Sequence, residues 1–137
     1  MNKLNLGTAK SLDEIKAFFQ KDRFATESGV VIEKIEDGAA VCTMTLTEHH
    51  RNSVGSVMGG AIFTLADFTF AVASNWQGTL YVSRSSQITF LGAAKGGQLI
   101  ATARRVKEGR QTCYYLIDVT DELGTQVAHV TMDGFAV

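Results

Sequence analysis

Read for the spacing of its apolar positions, the chain divides into a short helix, six strands and one long helix. Leu12, Ile15, Phe18 and Phe19 fall on one helical face. Ser11-Leu12-Asp13-Glu14 has the form of a capping box, in which the serine and the glutamate each satisfy an amide at the helix start. A helix is predicted from there through about Asp22. Val30 to Glu36 and Ala39 to Thr47 read as strands, joined by Asp37-Gly38, a pair that takes the positive φ angles of a tight hairpin. In the second strand Val41, Thr43, Thr45 and Thr47 alternate with Cys42, Met44 and Leu46, as in a sheet with one buried face. Residues 48–58 follow neither period and are predicted to be a loop.

Gly59-Gly60 opens the run AIFTLADFTFAVASNW, apolar on nearly all sides, which is the pattern of a helix enclosed by other structure. The run is too short for a membrane span and carries Thr64, Asp67, Thr69, Ser74 and Asn75. Four strands are predicted after Gly78: Thr79 to Leu91, Gln98 to Val106, Gln111 to Thr120 and Thr125 to Phe135. Their connectors, Ala94 to Gly97, Lys107 to Arg110 and Asp121 to Gly124, all look hairpin-like, so these strands are expected to form a meander. The pattern implies an α+β fold, a curved antiparallel sheet wrapped around the long apolar helix with a further helix at the N-terminus. Residues 1–137 are read as one domain, with 1–10 as a flexible tail.

Composition narrows the function classes. A chain of 137 residues can bury a core without disulfides or metals. A net charge of -1 gives no global electrostatic reason to bind nucleic acid or an anionic membrane. Cys42 and Cys113 lie far apart in predicted strands, which fits buried free thiols. The first residues, MNKLNLGTAKSLDE, lack the apolar stretch of a signal peptide, so a cytoplasmic location is expected.

Between Arg51 and Arg84 the only formally charged residue is Asp67, flanked by Leu65, Ala66, Phe68 and Phe70. Burying an ionised carboxylate costs several kcal/mol in effective terms unless it is paired. Desolvated acids collect at functional sites, so Asp67 is read as a general base or nucleophile with a raised pKa. Gly59-Gly60 supplies the complement: first-turn amides without internal partners, at the positive end of a helix, open to a carbonyl oxygen. Asp67 lies eight residues beyond Gly59, about 12 Å along a helix axis at ~1.5 Å per residue. Either the substrate spans that gap, or one subunit's Gly59 works with another subunit's Asp67, and the geometry favours a dimeric site.

The spacing Asn52-x-x-Gly55-x-x-Met58-Gly59-Gly60, followed by Leu65-Ala66-Asp67, resembles the PaaI-like branch of the hotdog thioesterase superfamily. The similarity covers about residues 28–137, including Tyr81-Val82-Ser83. It implies the hotdog fold and hydrolysis of an acyl-CoA thioester. It further implies that Asp67 is the base or nucleophile, that the Gly59 amide polarises the thioester carbonyl, and that Asn52 orients the carbonyl or the water. Ser83 matches the hydroxyl residue that helps hold that water. The resemblance implies a site between two subunits of a homodimer, commonly paired into a homotetramer. Coenzyme A arrives as part of the substrate, with no cofactor and no metal. One position departs from the pattern: the histidine before the glycine pair is Met58, which with Gly60 would then shape the pocket. His49 and His50 lie nearby, and His129 in the last strand reads as a packing or interface residue. Arg104, Arg105, Lys107 and Arg110 surround one hairpin and suit the phosphates of coenzyme A. Phe63, Phe68, Phe70 and Trp76 read as core, with an acyl pocket as the alternative. Two other functions on the same fold are a non-catalytic acyl-CoA binding module and an acyl-thioester hydratase or dehydratase. The latter typically pairs a histidine with the acid, and the helix region offers none.

Overall fold

The computed structural model describes residues 11–137; the flexible tail expected over 1–10 lies outside the described residues. Two short helices come first, α1 (Leu12–Phe19) and α2 (Arg23–Glu27). They are followed by β1 (Val30–Glu36), β2 (Ala39–Thr45), a 3-10 turn (Glu48–His50) and the long helix α3 (Gly59–Asn75). Four further strands complete the chain: β3 (Tyr81–Phe90), β4 (Gln98–Glu108), β5 (Thr112–Asp121) and β6 (Gln126–Ala136). Ser11 caps α1 by accepting the Glu14 amide at 3.2 Å. The helix predicted to reach Asp22 instead stops at Phe19 and restarts at Arg23 as α2. Ile15 and Phe19 are buried, whereas 20–24 lie on the surface, so no apolar face holds one continuous helix together.

The six strands form one antiparallel sheet in the order β1-β2-β4-β5-β6-β3. α3 packs across it and touches every strand. β1 pairs β2 through the expected hairpin, and β4-β5-β6 is a meander. The predicted meander of four strands is corrected in one place: β3 does not pair β4 but runs along β6 at the opposite edge. The connector 91–97 is therefore a crossover past the end of the β5–β6 hairpin. Two carboxylates secure it. Asp121 accepts the amides of Lys95 (2.8 Å), Gly96 (3.0 Å), Leu123 (3.0 Å) and Thr125 (2.9 Å). Glu122 accepts those of Gly97 and Gln98. Burial alone would raise the Asp121 pKa, but the amide bonds from Lys95, Thr125 and Gly96 outweigh it and hold the carboxyl well below the usual carboxylate range.

The core lies between α3 and the sheet, with Leu65, Phe70 and Val72 against Met44, Leu99, Ile117, Val130 and Met132, all buried. Phe70 meets Tyr115 edge to face at 5.5 Å. The C-terminal end of α3 is fixed to the start of β3 by Asn75, whose Oδ1 accepts the Tyr81 amide at 2.8 Å and whose Nδ2 donates to the Tyr81 carbonyl. Cys42 and Cys113 are buried free thiols, pushed up to about 12 and about 11 mainly by desolvation. α3 is not enclosed on every side as its apolarity suggests. Gly60, Phe63, Thr64, Asp67 and Ala71 form a stripe that the chain leaves partly open. Among the described residues no helix is long and apolar enough to cross a membrane.

Candidate active site

The loop 48–58 is shaped by its own polar side chains. His50 is buried, and its Nδ1 accepts the Thr47 amide at 3.0 Å. That leaves the proton on Nε2, which donates to the Ser28 carbonyl at 2.6 Å. His50 is thus a structural clasp between the loop and the end of α2. Asn52 Oδ1 accepts the amides of Val54 and Ser56, so its Nδ2 is the group left to donate outward. The loop then delivers Met58 as the residue before α3, half exposed and with no side-chain cap. The amides of Gly59 and Gly60 have no hydrogen-bond partner among the described residues, since the first bonds of the helix start at Ala61 and Ile62. They form an anion-attracting end on a 17-residue helix.

Gly59 faces a cavity of about 380 Å³ beside Arg51, Val57, Ile62, Phe90 and Ala94. A methyl there would lie 2.8 Å from Phe90 Cζ, so the exposed Phe90 ring would have to move aside for it. Asp67 opens elsewhere, into a cavity of about 300 Å³ lined by Asp22, Phe24, Phe63, Thr64, Phe68 and Ala71 among others. Its carboxylate is half-buried and has no hydrogen-bond donor among the described residues. Burial pushes its pKa above the ordinary carboxylate value, and the nearby Asp22 carboxylate pushes in the same direction. Gly59 and Asp67 thus line two different cavities among the described residues. That separation follows from their offset along the helix.

The other predicted residues are scattered over this frame. Ser83 is exposed on β3, at the bulge between Ser83 and Ser85, with its hydroxyl unbonded among the described residues. Arg104 and Arg110 are exposed and have no ion-pair partner among the described residues, whereas Arg105 is braced by Asp37 (3.3 Å) and Glu108 (3.2 Å). Their hairpin sits at the C-terminal end of α3, where Tyr81 Oη donates to Glu108, while Gly59 lies at the other end beside Phe90. Within one chain the arginine hairpin and Gly59 thus lie at opposite ends of α3, a helix about 24 Å long at ~1.5 Å per residue. His129 pairs with Asp118 at 2.7 Å. Phe68 and Phe70 are core, Trp76 donates its indole N–H to the Glu36 carbonyl, and Phe63 lines the open stripe. Sequence reasoning missed Asp22, Phe24, Arg51 and Phe90. They reach the site only through tertiary packing, and no local pattern marks them.

A family model described as the Thioesterase superfamily matches residues 54–128. Acyl-coenzyme A thioesterase PaaI of Escherichia coli is 36% identical over 120 residues, covering 87% of this chain and 86% of that protein. The solved structure of the E. coli PaaI protein from the phenylacetic acid degradation operon superposes with a TM-score of 0.87 at 33% identity, over 93% of this chain and 94% of that one. A hypothetical thioesterase protein from Streptococcus pneumoniae, solved with coenzyme A, gives a TM-score of 0.81 at 30% identity over 88% of this chain and 95% of that one. On its sequence and its fold, this chain belongs to the thioesterase superfamily, in the PaaI-like branch with the hotdog fold, and is a thioester hydrolase.

Proposed function

We propose that this chain hydrolyses acyl-coenzyme A thioesters at a site shared by two copies, with Asp67 of one subunit acting opposite the Gly59 amide of the other. The observation that carries this reading is the separation of the two groups. A desolvated carboxylate and a pair of unpartnered helix-end amides open into different cavities of the same chain. Each is half of a hydrolytic site.

The edge strand β3 supports the pairing. It is ten residues long and exposed along nearly its whole length, with Val82 and Phe90 outward. A bare edge of that length favours strand addition. A twofold pairing of β3 with its copy is antiparallel and sets the Phe90 end of one chain against the Tyr81 end of the other. One subunit's Gly59 then lies near the other's arginine hairpin, so a thioester at Gly59 has Arg104 and Arg110 within reach for its phosphates. Arg105 holds that hairpin in shape through Asp37 and Glu108. Dimers pair further into a homotetramer in this reading, and the site needs no cofactor or metal.

The chemistry follows from the two halves. Asp67 takes a proton from water, and the resulting hydroxide forms a bond to the thioester carbon. The carbonyl π pair moves to oxygen, where the Gly59 N–H stabilises it, and Gly60 keeps the approach clear. Collapse of the intermediate expels the coenzyme A sulfur, which takes the proton back from Asp67 and leaves as the thiol, and the acid is released. A preorganised donor of this kind is worth about 3 kcal/mol in the transition state. Asn52 Nδ2 and the Ser83 hydroxyl orient the carbonyl and the water, and Met58 fills the space beside the glycines. Supporting the acyl-CoA substrate are the names of the relatives: PaaI is called an acyl-coenzyme A thioesterase, and the streptococcal neighbour was solved with coenzyme A. Thiol release across an acyl-CoA panel tests the reading. Release that vanishes in a folded Asp67→Asn protein supports it, and release that persists removes Asp67 from the mechanism. Coenzyme A binding with no release from any thioester favours a binding module instead.

A further inference from the structure

The ring of Phe24 is 79% exposed on a five-residue helix, yet the backbone that carries it is firmly held. Ala25 beside it is buried, and Thr26 Oγ1 donates to the Gln20 carbonyl at 3.1 Å. Ser28 Oγ donates to the Phe24 carbonyl at 2.8 Å, while the Ser28 carbonyl accepts from His50 Nε2 at 2.6 Å. The ring therefore stands out from a fixed scaffold. It walls two adjoining cavities that also share Phe63 and Thr64. One is the cavity containing Asp67. The other, about 420 Å³, lies between Phe24, Met58, Ala61 and Phe63, with Gly60, Ser28, His49 and His50 also in its lining.

We infer that this second cavity receives the acyl group of the thioester, that its mostly apolar wall favours apolar acyl groups, and that Phe24 is a specificity-determining residue. The inference rests on the thioester hydrolysis proposed above and names its substrate class. A carbonyl attacked by water from Asp67 must carry its acyl substituent into a neighbouring space, and this cavity adjoins along Phe24, Phe63 and Thr64. No lysine or arginine is among its described lining residues. An acyl group ending in a carboxylate would leave water for a lining made mostly of apolar side chains, in which the Nε2–H of His50 is already given to the Ser28 carbonyl, and would face Asp22 and Asp67, with Arg23 beside them, next door. Met58 matters here. A thioether there adds an apolar, adaptable surface beside the His49 and His50 rings that also line the cavity.

The test compares hexanoyl-, acetyl- and succinyl-CoA as substrates of the full chain and of Phe24→Ala, alongside binding of S-hexyl- and S-methyl-coenzyme A by calorimetry. Because the ring is exposed, Phe24→Ala keeps the wild-type melting temperature. The hexanoyl-to-acetyl ratio of kcat/KM falls about tenfold in the variant, the scale of lost apolar contacts in a pocket. The S-hexyl over S-methyl preference falls with it, and Phe24→Leu retains part of both. Unchanged ratios overturn the inference, as does a preference for succinyl over hexanoyl, or a change of oligomer size with the ratios intact. If the wild type releases no thiol but binds S-hexyl-coenzyme A with a Phe24-dependent preference, the pocket assignment stands and hydrolysis falls. If neither analogue binds, the pocket assignment falls.

Discussion

Replacing Gly59 by alanine separates the catalytic from the structural importance of the α3 N-terminus. The added methyl lies 2.8 Å from Phe90 Cζ and 3.2 Å from Cε1, well inside the ~3.5–4.0 Å of a good carbon contact. Phe90 is 54% exposed, so its ring can swing away rather than strain the core. Alanine is also the better helix former, by up to about 1 kcal/mol. The two effects offset, and stability changes by no more than about 1 kcal/mol, a melting shift of roughly 4 °C or less. Activity responds differently. The carbonyl oxygen must come within about 3 Å of the Gly59 amide, and the methyl and the displaced ring both occupy its approach. Alanine keeps the amide N–H, so the loss comes from holding the carbonyl oxygen away from it, and is expected to be about 100-fold in kcat, or ~2.7 kcal/mol, the scale of one oxyanion hydrogen bond. Thiol release and a thermal melt on the same preparation decide the matter. A folded Gly59→Ala protein that retains a third or more of the wild-type kcat would refute the assignment of this amide.

Further outcomes follow from other contacts. Because burial and then Asp22 raise the Asp67 pKa, the acid limb of kcat/KM lies above the ordinary carboxylate range of about 3.9. Asp22→Asn shifts that limb to lower pH, and a pH–rate profile that ignores the substitution contradicts the coupling. A raised folded pKa means that the fold favours the protonated acid, so Asp67 removes stability as pH rises from the unfolded value through the folded one. Asp67→Asn therefore melts higher than wild type at pH 7, and a lower melt would show that the carboxylate is paired instead. His50→Ala leaves the Thr47 amide and the Ser28 carbonyl without their partner, a loss of about 3 kcal/mol readable in urea unfolding. A loss under about 1 kcal/mol would mean that His50 is no clasp. Gly134→Ala puts a methyl 2.7 Å from Cys113 Sγ and 2.9 Å from Phe70 Cζ. Overpacking of this kind costs about 1–3 kcal/mol, and an unchanged melting curve would show that this part of the core is loose.

Much of this was legible in the sequence because its signals are local. The apolar run after Gly59-Gly60, the Asp37-Gly38 hairpin and the alternation around Cys42 each carry their own period, and each became the predicted element. The crossover between β3 and β4 was not legible. Ala94 to Gly97 has hairpin composition, but partner choice is decided by Asp121 and Glu122, which hold that segment from about 25 residues away. Asp67 stood out by being the one charge in an uncharged stretch, and Gly59 by its place at a helix start. Asp22 and Phe24 gave no such sign. They read as the tail of one helix, whereas the chain breaks at Phe19 and turns them towards Asp67. The clasp formed by His50 was hidden for the same reason: Ser28 is 22 residues distant.

A heterodimer made from one Asp67→Asn subunit and one Gly59→Ala subunit, isolated by two affinity tags, tests the shared site most directly. Each homodimer of a single variant is expected to be nearly inactive. If Gly59 and Asp67 act across the interface, the heterodimer contains one site with both groups intact and one with neither. Its thiol release then returns to about half the wild-type rate, as twofold symmetry requires. If the two groups act within one chain, every site in the heterodimer is damaged and its rate stays at the level of the single variants, which would contradict the account.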